Sequence, residues 1–129
     1  YDVVVTSNMF GDIATDLASV LQGGMGMAGS GNIGDDHAFF EPVHGSSPKY
    51  AGMNKVNPIA SINSIQMMMD WLGRKNNDDG LVSISKQIEA SVADHLKEGK
   101  HLTYDLGGDA SCSLVGDMIS ARLAQRLSL

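Results

Sequence analysis

One cysteine, Cys112, stands in 129 residues, and a lone thiol closes no internal disulfide, so no disulfide framework is expected here. Positive charge is scarce: nine Lys plus Arg face fifteen Asp plus Glu for a net charge of −6, and the longest basic run is Arg74-Lys75. That balance excludes the electrostatic footprint of a nucleic-acid or anionic-membrane binder. No apolar run approaches the roughly 18 residues that cross a bilayer. The chain therefore reads as soluble and cytoplasmic. It opens at Tyr1 with no Met and no charged leader, and runs at once into Val3-Val4-Val5, the pattern of a protein interior, which leads us to expect part of a longer protein.

What is present fits one globular unit. With 43% apolar and 19% charged residues, a chain of this length buries about two-thirds of its unfolded surface, and intrinsic disorder is excluded. Residues 1–6 form a β-branched run without alternation, the pattern of a strand covered on both faces. From Asp12 to Leu21, Ile13, Leu17, Val20 and Leu21 fall at i, i+4, i+7 and i+8, one stripe of an amphipathic helix that Gly23-Gly24 ends. Residues 23–57 hold more than half of the glycines and two of the three prolines, which favours turns, apart from a short strand over residues 38–40. A second helix is expected from Asn57 as cap and Pro58 at the first helical position through Leu72-Gly73. A polar loop over residues 74–80, a third helix carrying Leu81, Ile84, Ile88, Val92 and Leu96 up to Gly99, a short strand over residues 101–104 and a last helix from about Ser113 complete the reading.

Three segments carry chemistry. Gly24-Met25-Gly26-Met27-Ala28-Gly29 is a literal G-x-G-x-x-G, but it follows a helix, opens no helix, and has Lys49 where an acidic ribose ligand belongs about twenty residues on, so the Rossmann reading is rejected. Asp12 and Asp16, four apart on the first helix, point from one face, and no Lys or Arg occurs before Lys49 to neutralise them. Such a pair is either a solvated face or a site for Mg²⁺ or Mn²⁺, hard ions that take one or two protein carboxylates plus substrate and water. The stretch from His44 to Gly52 combines hydroxyls, glycine, the Lys49 cation and the Tyr50 phenol in a segment too broken for helix or strand. It is either an ordinary surface turn or a wrap around a phosphorylated ligand. Met67-Met68-Met69 beside Trp71 reads as a helix buried on more than one face, and Cys112, with no adjacent His or Lys, as an inert thiol.

Taken together, residues 8–16 (NMFGDIATD), 31–34 (GNIG), 40–48 (FEPVHGSSP), Ala51-Gly52, Asn57-Pro58 and Met67-Met68-Met69 resemble the β-decarboxylating dehydrogenases, the family of isocitrate, isopropylmalate, homoisocitrate and tartrate dehydrogenases. The resemblance implies a three-layer α/β/α fold distinct from the Rossmann fold. It further implies that residues 1–22 end a small, dimer-forming domain, that residues 23–129 are the C-terminal part of a large cofactor-binding domain, and that two subunits form a homodimer. It assigns Asp12 and Asp16 to a Mg²⁺ or Mn²⁺ site facing a 2-hydroxy acid. It assigns His44, Gly45, Ser46 and Ser47 to the loop that holds the cofactor's adenosine and phosphates, and Asn57 to the adenine.

Within that family Lys49-Tyr50, with Val56 and Tyr104, resembles the NADP-dependent isocitrate dehydrogenases, where NAD-dependent members carry Asp. Three places depart from the pattern. Gly108 stands where that subgroup has arginine, Leu106-Gly107-Gly108 resembles the NAD-dependent branch, and Leu114 and Ala28-Gly29 replace an acidic residue and an Ala-Pro pair. The activity implied is oxidative decarboxylation of isocitrate to 2-oxoglutarate with NADP, a step of the tricarboxylic acid cycle, in the cytoplasm or, in a eukaryote, the mitochondrial matrix. The alternatives are an NAD-dependent homoisocitrate, isopropylmalate or tartrate dehydrogenase and a non-catalytic regulatory subunit. The family's catalytic tyrosine and lysine and its substrate arginines lie upstream of the matching segments, so these residues alone are expected to be inactive.

Overall fold

The computed structural model describes residues 1–128. Helix α1 (Asn8–Ser19) runs into a 3₁₀ turn at Val20–Gln22, and a second such turn at Met25–Met27 leads into strand β1 (Gly29–Ile33) and strand β2 (Ala38–Pro42). A 3₁₀ turn at Pro48–Tyr50 precedes the two long helices, α2 (Ile59–Asn76) and α3 (Asp79–Glu98), and another at Tyr104–Leu106 precedes α4 (Cys112–Arg126).

The strands pair antiparallel with Gly31 opposite Phe40. They lie on α2, with the Phe40 and Trp71 rings 6.2 Å apart between centroids. A glycine is needed where β1 meets that helix, because a Cβ on Gly29 would sit 2.9 Å from the Ser64 backbone nitrogen. The α2 start follows from Asn57, whose Oδ1 accepts from the Ile59 N–H at 2.9 Å, satisfying one of the free donors of the first turn. Its end is Asn77 in the left-handed conformation, after which Asp78 caps α3 by accepting from Gly80 and Leu81. The fourth helix is pinned from a distance: the Asn54 carbonyl accepts from the Cys112 N–H at 2.8 Å, and Asn54 Oδ1 accepts from the Ser113 N–H at 3.0 Å.

The core gathers Met27, Ile59, Val92, Ala110, Val115 and Ile119, with Ile62, Leu96 and Leu106 packed against it. It therefore sits where α2, α3 and α4 meet the turn before β1. Ile88 and Val92 are the buried part of the expected α3 stripe. Met67, Met68 and Met69 are half-buried.

Several expectations are corrected. Residues 1–6 form no strand, and among the described residues none of the backbone hydrogen bonds outside helices and strands involves them; an extended run is a strand only where a neighbour completes its ladder. The polar stretch 74–80 is helix at both ends, with only Asn77 and Asp78 between, because an αL residue followed by an Asp cap turns the chain in two residues. Residues 101–104 are no strand either: His101 has φ +53°, and the segment enters a 3₁₀ turn. Strand β1 was not expected, since two of its five residues are glycine. The apolar stripe of α1 faces outward, with Ile13, Leu17 and Val20 each more than half exposed.

Candidate functional site

Two cavities share a wall at His44 and Gly45. The first, of 370 Å³, is lined by His44, Gly45, Ser46, Ser47, Val56 and Asn57 from the segment before α2, by Tyr104 and Asp105 from the turn after α3, and by Gly26. The α2–α3 hairpin brings these walls together, since its two helices leave and return on the same side.

Asn57 is the fixed point of this cavity. It is buried, its Oδ1 is held by the α2 N-terminus, and its Nδ2 donates to Asp105 Oδ2 at 3.0 Å. The second Asp105 oxygen accepts from Thr103 Oγ1 at 2.5 Å. Gly26 makes this possible: a Cβ there would lie 2.8 Å from Asp105 Oδ2 and 3.2 Å from Asn57 Cβ. The middle glycine of the G-x-G-x-x-G run is thus used for close approach, though in a helix-to-strand connection and not a Rossmann turn.

At the rim the Tyr50 and Tyr104 rings tilt against each other, 5.5 Å between centroids. The Tyr50 hydroxyl beside it raises the Tyr104 phenol above its ordinary pKa, with burial adding to the effect. Lys49 Nζ lies 5.6 Å from the Tyr50 centroid, and Lys55 Nζ lies 5.5 Å from Tyr50 and 4.7 Å from Tyr104. Position 108 holds no side chain in this backbone, for a Cβ on Gly108 would collide with the Leu102 carbonyl oxygen.

The second cavity, of 590 Å³, is lined by Asn8, Asp12, Thr15 and Asp16 of α1, by Ser30, Asn32, Glu41 and Pro42 of the sheet, and by Val43, His44 and Gly45. Its acidic residues on α1 lie one turn apart. Neither Asp12 nor Asp16 is in an ion pair among the described residues. No group of three or more His, Cys, Asp or Glu among the described residues converges as a complete metal cage. Two unpaired hard-oxygen donors suit Mg²⁺ or Mn²⁺, which need only one or two protein carboxylates when substrate and water fill the remaining positions.

Of the nine residues that the sequence puts forward for a cofactor, seven line the first cavity and Lys49 and Tyr50 stand at its rim. Asp12 and Asp16 open on the second cavity. Sequence reasoning noticed Gly26 only in a rejected Rossmann motif and passed over Lys55 and Asp105. The last two adjoin Val56 and Tyr104 and could have been found only by asking what surrounds those residues.

Comparison with known proteins finds relatives along most of the chain. Residues 1–119 match the family model described as isocitrate/isopropylmalate dehydrogenase. The chain is 47% identical over 127 residues to a homoisocitrate dehydrogenase of Methanocaldococcus jannaschii, covering 98% of this chain and 34% of that protein. It is 43% identical over 128 residues to a mitochondrial regulatory subunit of the NAD isocitrate dehydrogenase of Dictyostelium discoideum, with 98% and 34% covered. The crystal structure of isocitrate dehydrogenase from Methylococcus capsulatus superposes with a TM-score of 0.82 at 36% identity, over 92% of this chain and 34% of that one. The chain thus spans about a third of the length of these relatives, and its fold is the α/β fold they share. With the family model matched over residues 1–119 and the superposition in agreement, the chain belongs to the isocitrate/isopropylmalate dehydrogenase family of β-decarboxylating dehydrogenases.

Proposed function

We propose that the protein carrying this chain catalyses metal-dependent oxidative decarboxylation of isocitrate with NADP, and that this segment supplies the adenosine and 2′-phosphate cradle and two carboxylates of the metal site. The observation that carries the reading is the shared wall. His44 and Gly45 border both the cavity suited to a dinucleotide and the one suited to a divalent ion, and hydride transfer requires cofactor and metal-held substrate to meet.

Gly45, Ser46 and Ser47 offer backbone and hydroxyl donors to phosphate oxygens, and Asn57 faces the adenine. Lys49 meets a 2′-phosphate, with Tyr50 and Tyr104 as neutral donors. Asp12 and Asp16 would hold Mg²⁺ or Mn²⁺ and leave its remaining positions to substrate and water. When bound, the dinucleotide accepts the hydride and the ion stabilises the negative charge left on the oxidised substrate as CO₂ departs.

In the same reading residues 1–22 close a small domain, residues 23–129 belong to the large one, and the protein works as a homodimer in the cytoplasm or the mitochondrial matrix. No helix among the described residues is long and apolar enough to cross a membrane.

A second reading has specific support. Gly107-Gly108 and the names of the homoisocitrate and NAD-linked relatives favour an NAD-dependent enzyme or a regulatory subunit. The test is kcat/KM for NADP and NAD, each with isocitrate, homoisocitrate and 3-isopropylmalate, in the protein carrying this chain. The proposal expects isocitrate with NADP to be preferred. A ratio below one for NADP over NAD selects the second reading, and no turnover with any pair selects the regulatory subunit.

A further inference from the structure

We propose that Lys55 is a second cofactor-specificity residue, whose ammonium joins that of Lys49 in holding the 2′-phosphate and replaces the arginine that position 108 lacks. The inference rests on the NADP reading above and adds a residue to it.

The two ammonium groups converge on one pair of tyrosines. Lys55 Nζ stands 4.7 Å from the Tyr104 centroid and 5.5 Å from that of Tyr50, and Lys49 Nζ stands 5.6 Å from Tyr50. Neither lysine is in an ion pair among the described residues. In a chain with nine basic residues against fifteen acidic ones, two unpaired cations at one spot mark a place that attracts an anion.

The recess beside them has the right position. A 400 Å³ hollow lined by Lys55, Tyr104, Gly108 and Asp109 adjoins the adenosine cavity, with Tyr104 common to both. Of the two lysines only Lys55 lines this hollow, where its charge balances that of Asp109, and Lys49, by the Tyr50 ring, adds a second positive charge outside it. Position 108 contributes nothing, because the Leu102 carbonyl occupies the place where a Cβ would go.

Lys55 is also well anchored. The preceding residue, Asn54, adopts φ +52° and ties the segment to the start of α4 by donating to Ser113 Oγ at 2.8 Å and accepting from the Ser113 N–H at 3.0 Å. The lysine stem starts from a fixed point, and the two rings set the direction of its head.

The test uses the protein carrying this chain, with adenosine 2′,5′-bisphosphate and 5′-AMP as probes in calorimetry and the NADP-to-NAD ratio of kcat/KM as a second readout. For Lys55→Met we expect about tenfold weaker binding of the bisphosphate, 5′-AMP binding unchanged within about twofold, and about a tenfold fall in the ratio, as loss of one charge-assisted contact implies. Lys55→Arg should restore most of the loss. The proposal is overturned if Lys55→Met binds the bisphosphate as wild type does, or if both probes weaken equally, which is the mark of a merely structural lysine. A wild-type protein that binds the two probes alike overturns the NADP reading and this inference with it, whereas a wild-type preference that survives Lys55→Met and is lost in Lys49→Met sinks this inference alone.

Discussion

Asn57 donates its amide to Asp105 Oδ2 at 3.0 Å across 48 positions of sequence, while its Oδ1 is held by the first turn of α2. Both ends of the amide are thereby assigned, and the group cannot flip without losing two hydrogen bonds. One side chain serves both the start of a helix and the wall of the first cavity.

Asp105→Ala should therefore raise the KM for the dinucleotide by about tenfold while kcat stays within about threefold, because it frees the Asn57 amide without touching the reacting atoms. Steady-state kinetics at varied cofactor decides the point. An unchanged KM would mean that the α2 cap alone orients Asn57.

Asp12→Asn and Asp16→Asn should each lower Mg²⁺- or Mn²⁺-dependent turnover by roughly two orders of magnitude or more, as expected when a metal ligand is removed. Both side chains are exposed, so the circular dichroism melt should not move. Wild-type turnover at limiting metal in either variant would remove that residue from the metal site.

The double variant Lys49→Asp with Tyr50→Ile should invert cofactor choice, since it adds an acceptor for the ribose hydroxyls and a charge that repels the 2′-phosphate. The readout is again the NADP-to-NAD ratio of kcat/KM. A ratio that falls without crossing one would show that Lys55 and Tyr104 hold the phosphate without Lys49.

His95 is buried on α3 with its Nε2 unpartnered. Burial is the main cause of its lowered pKa, the Arg122 charge adds to it, and a hydrogen bond to the His101 backbone works the other way. Glu98 lies close by, paired with Arg122. Because the folded-state pKa lies below the unfolded value of about 6.5, the unfolded chain binds the extra proton first, and stability falls as pH drops through and below that value. Thermal melts between about pH 7 and 5 should show that slope in wild type and a flatter one in His95→Gln. Equal slopes would exclude His95 as the source.

Gly108→Arg, a direct attempt to install the missing arginine, should cost about 3 kcal/mol of stability and fail to strengthen NADP binding, because the new Cβ meets the Leu102 carbonyl head-on. Chemical denaturation measures the first effect and cofactor titration the second. A stable variant with tighter NADP binding would show that the 102–108 turn yields.

Helices were legible in the sequence because their apolar spacing is local, as Ile88 and Val92 illustrate, and the start of α2 was legible to within one residue: Pro58 takes the cap position expected for Asn57, whose side chain still accepts from the Ile59 N–H. Strand β1 was not, since Gly29 and Gly31 carry no side chain to signal a face and owe their identity to Ser64 on α2 and Phe40 on β2. The stretch 74–80 misled through its polarity, for a two-residue elbow is as polar as a long loop. The site followed the same division. Composition left His44 to Tyr50 open between a surface turn and a phosphate wrap, and only the resemblance of the surrounding segments pointed to the second, whereas Asp105 and Lys55 gain their meaning from neighbours that only folding supplies.

The α2–α3 hairpin also acts as a ruler. Helices of 18 and 20 residues run about 27 and 30 Å out and back, and the near match is what returns Tyr104 and Asp105 to the side of Asn57. Removing one turn from α3 alone would draw that wall back by about 5.4 Å, enough to part the Asn57–Asp105 contact with every binding residue still in the chain. Length variation in this hairpin should thus be tolerated only in pairs, one turn lost or gained in both helices together.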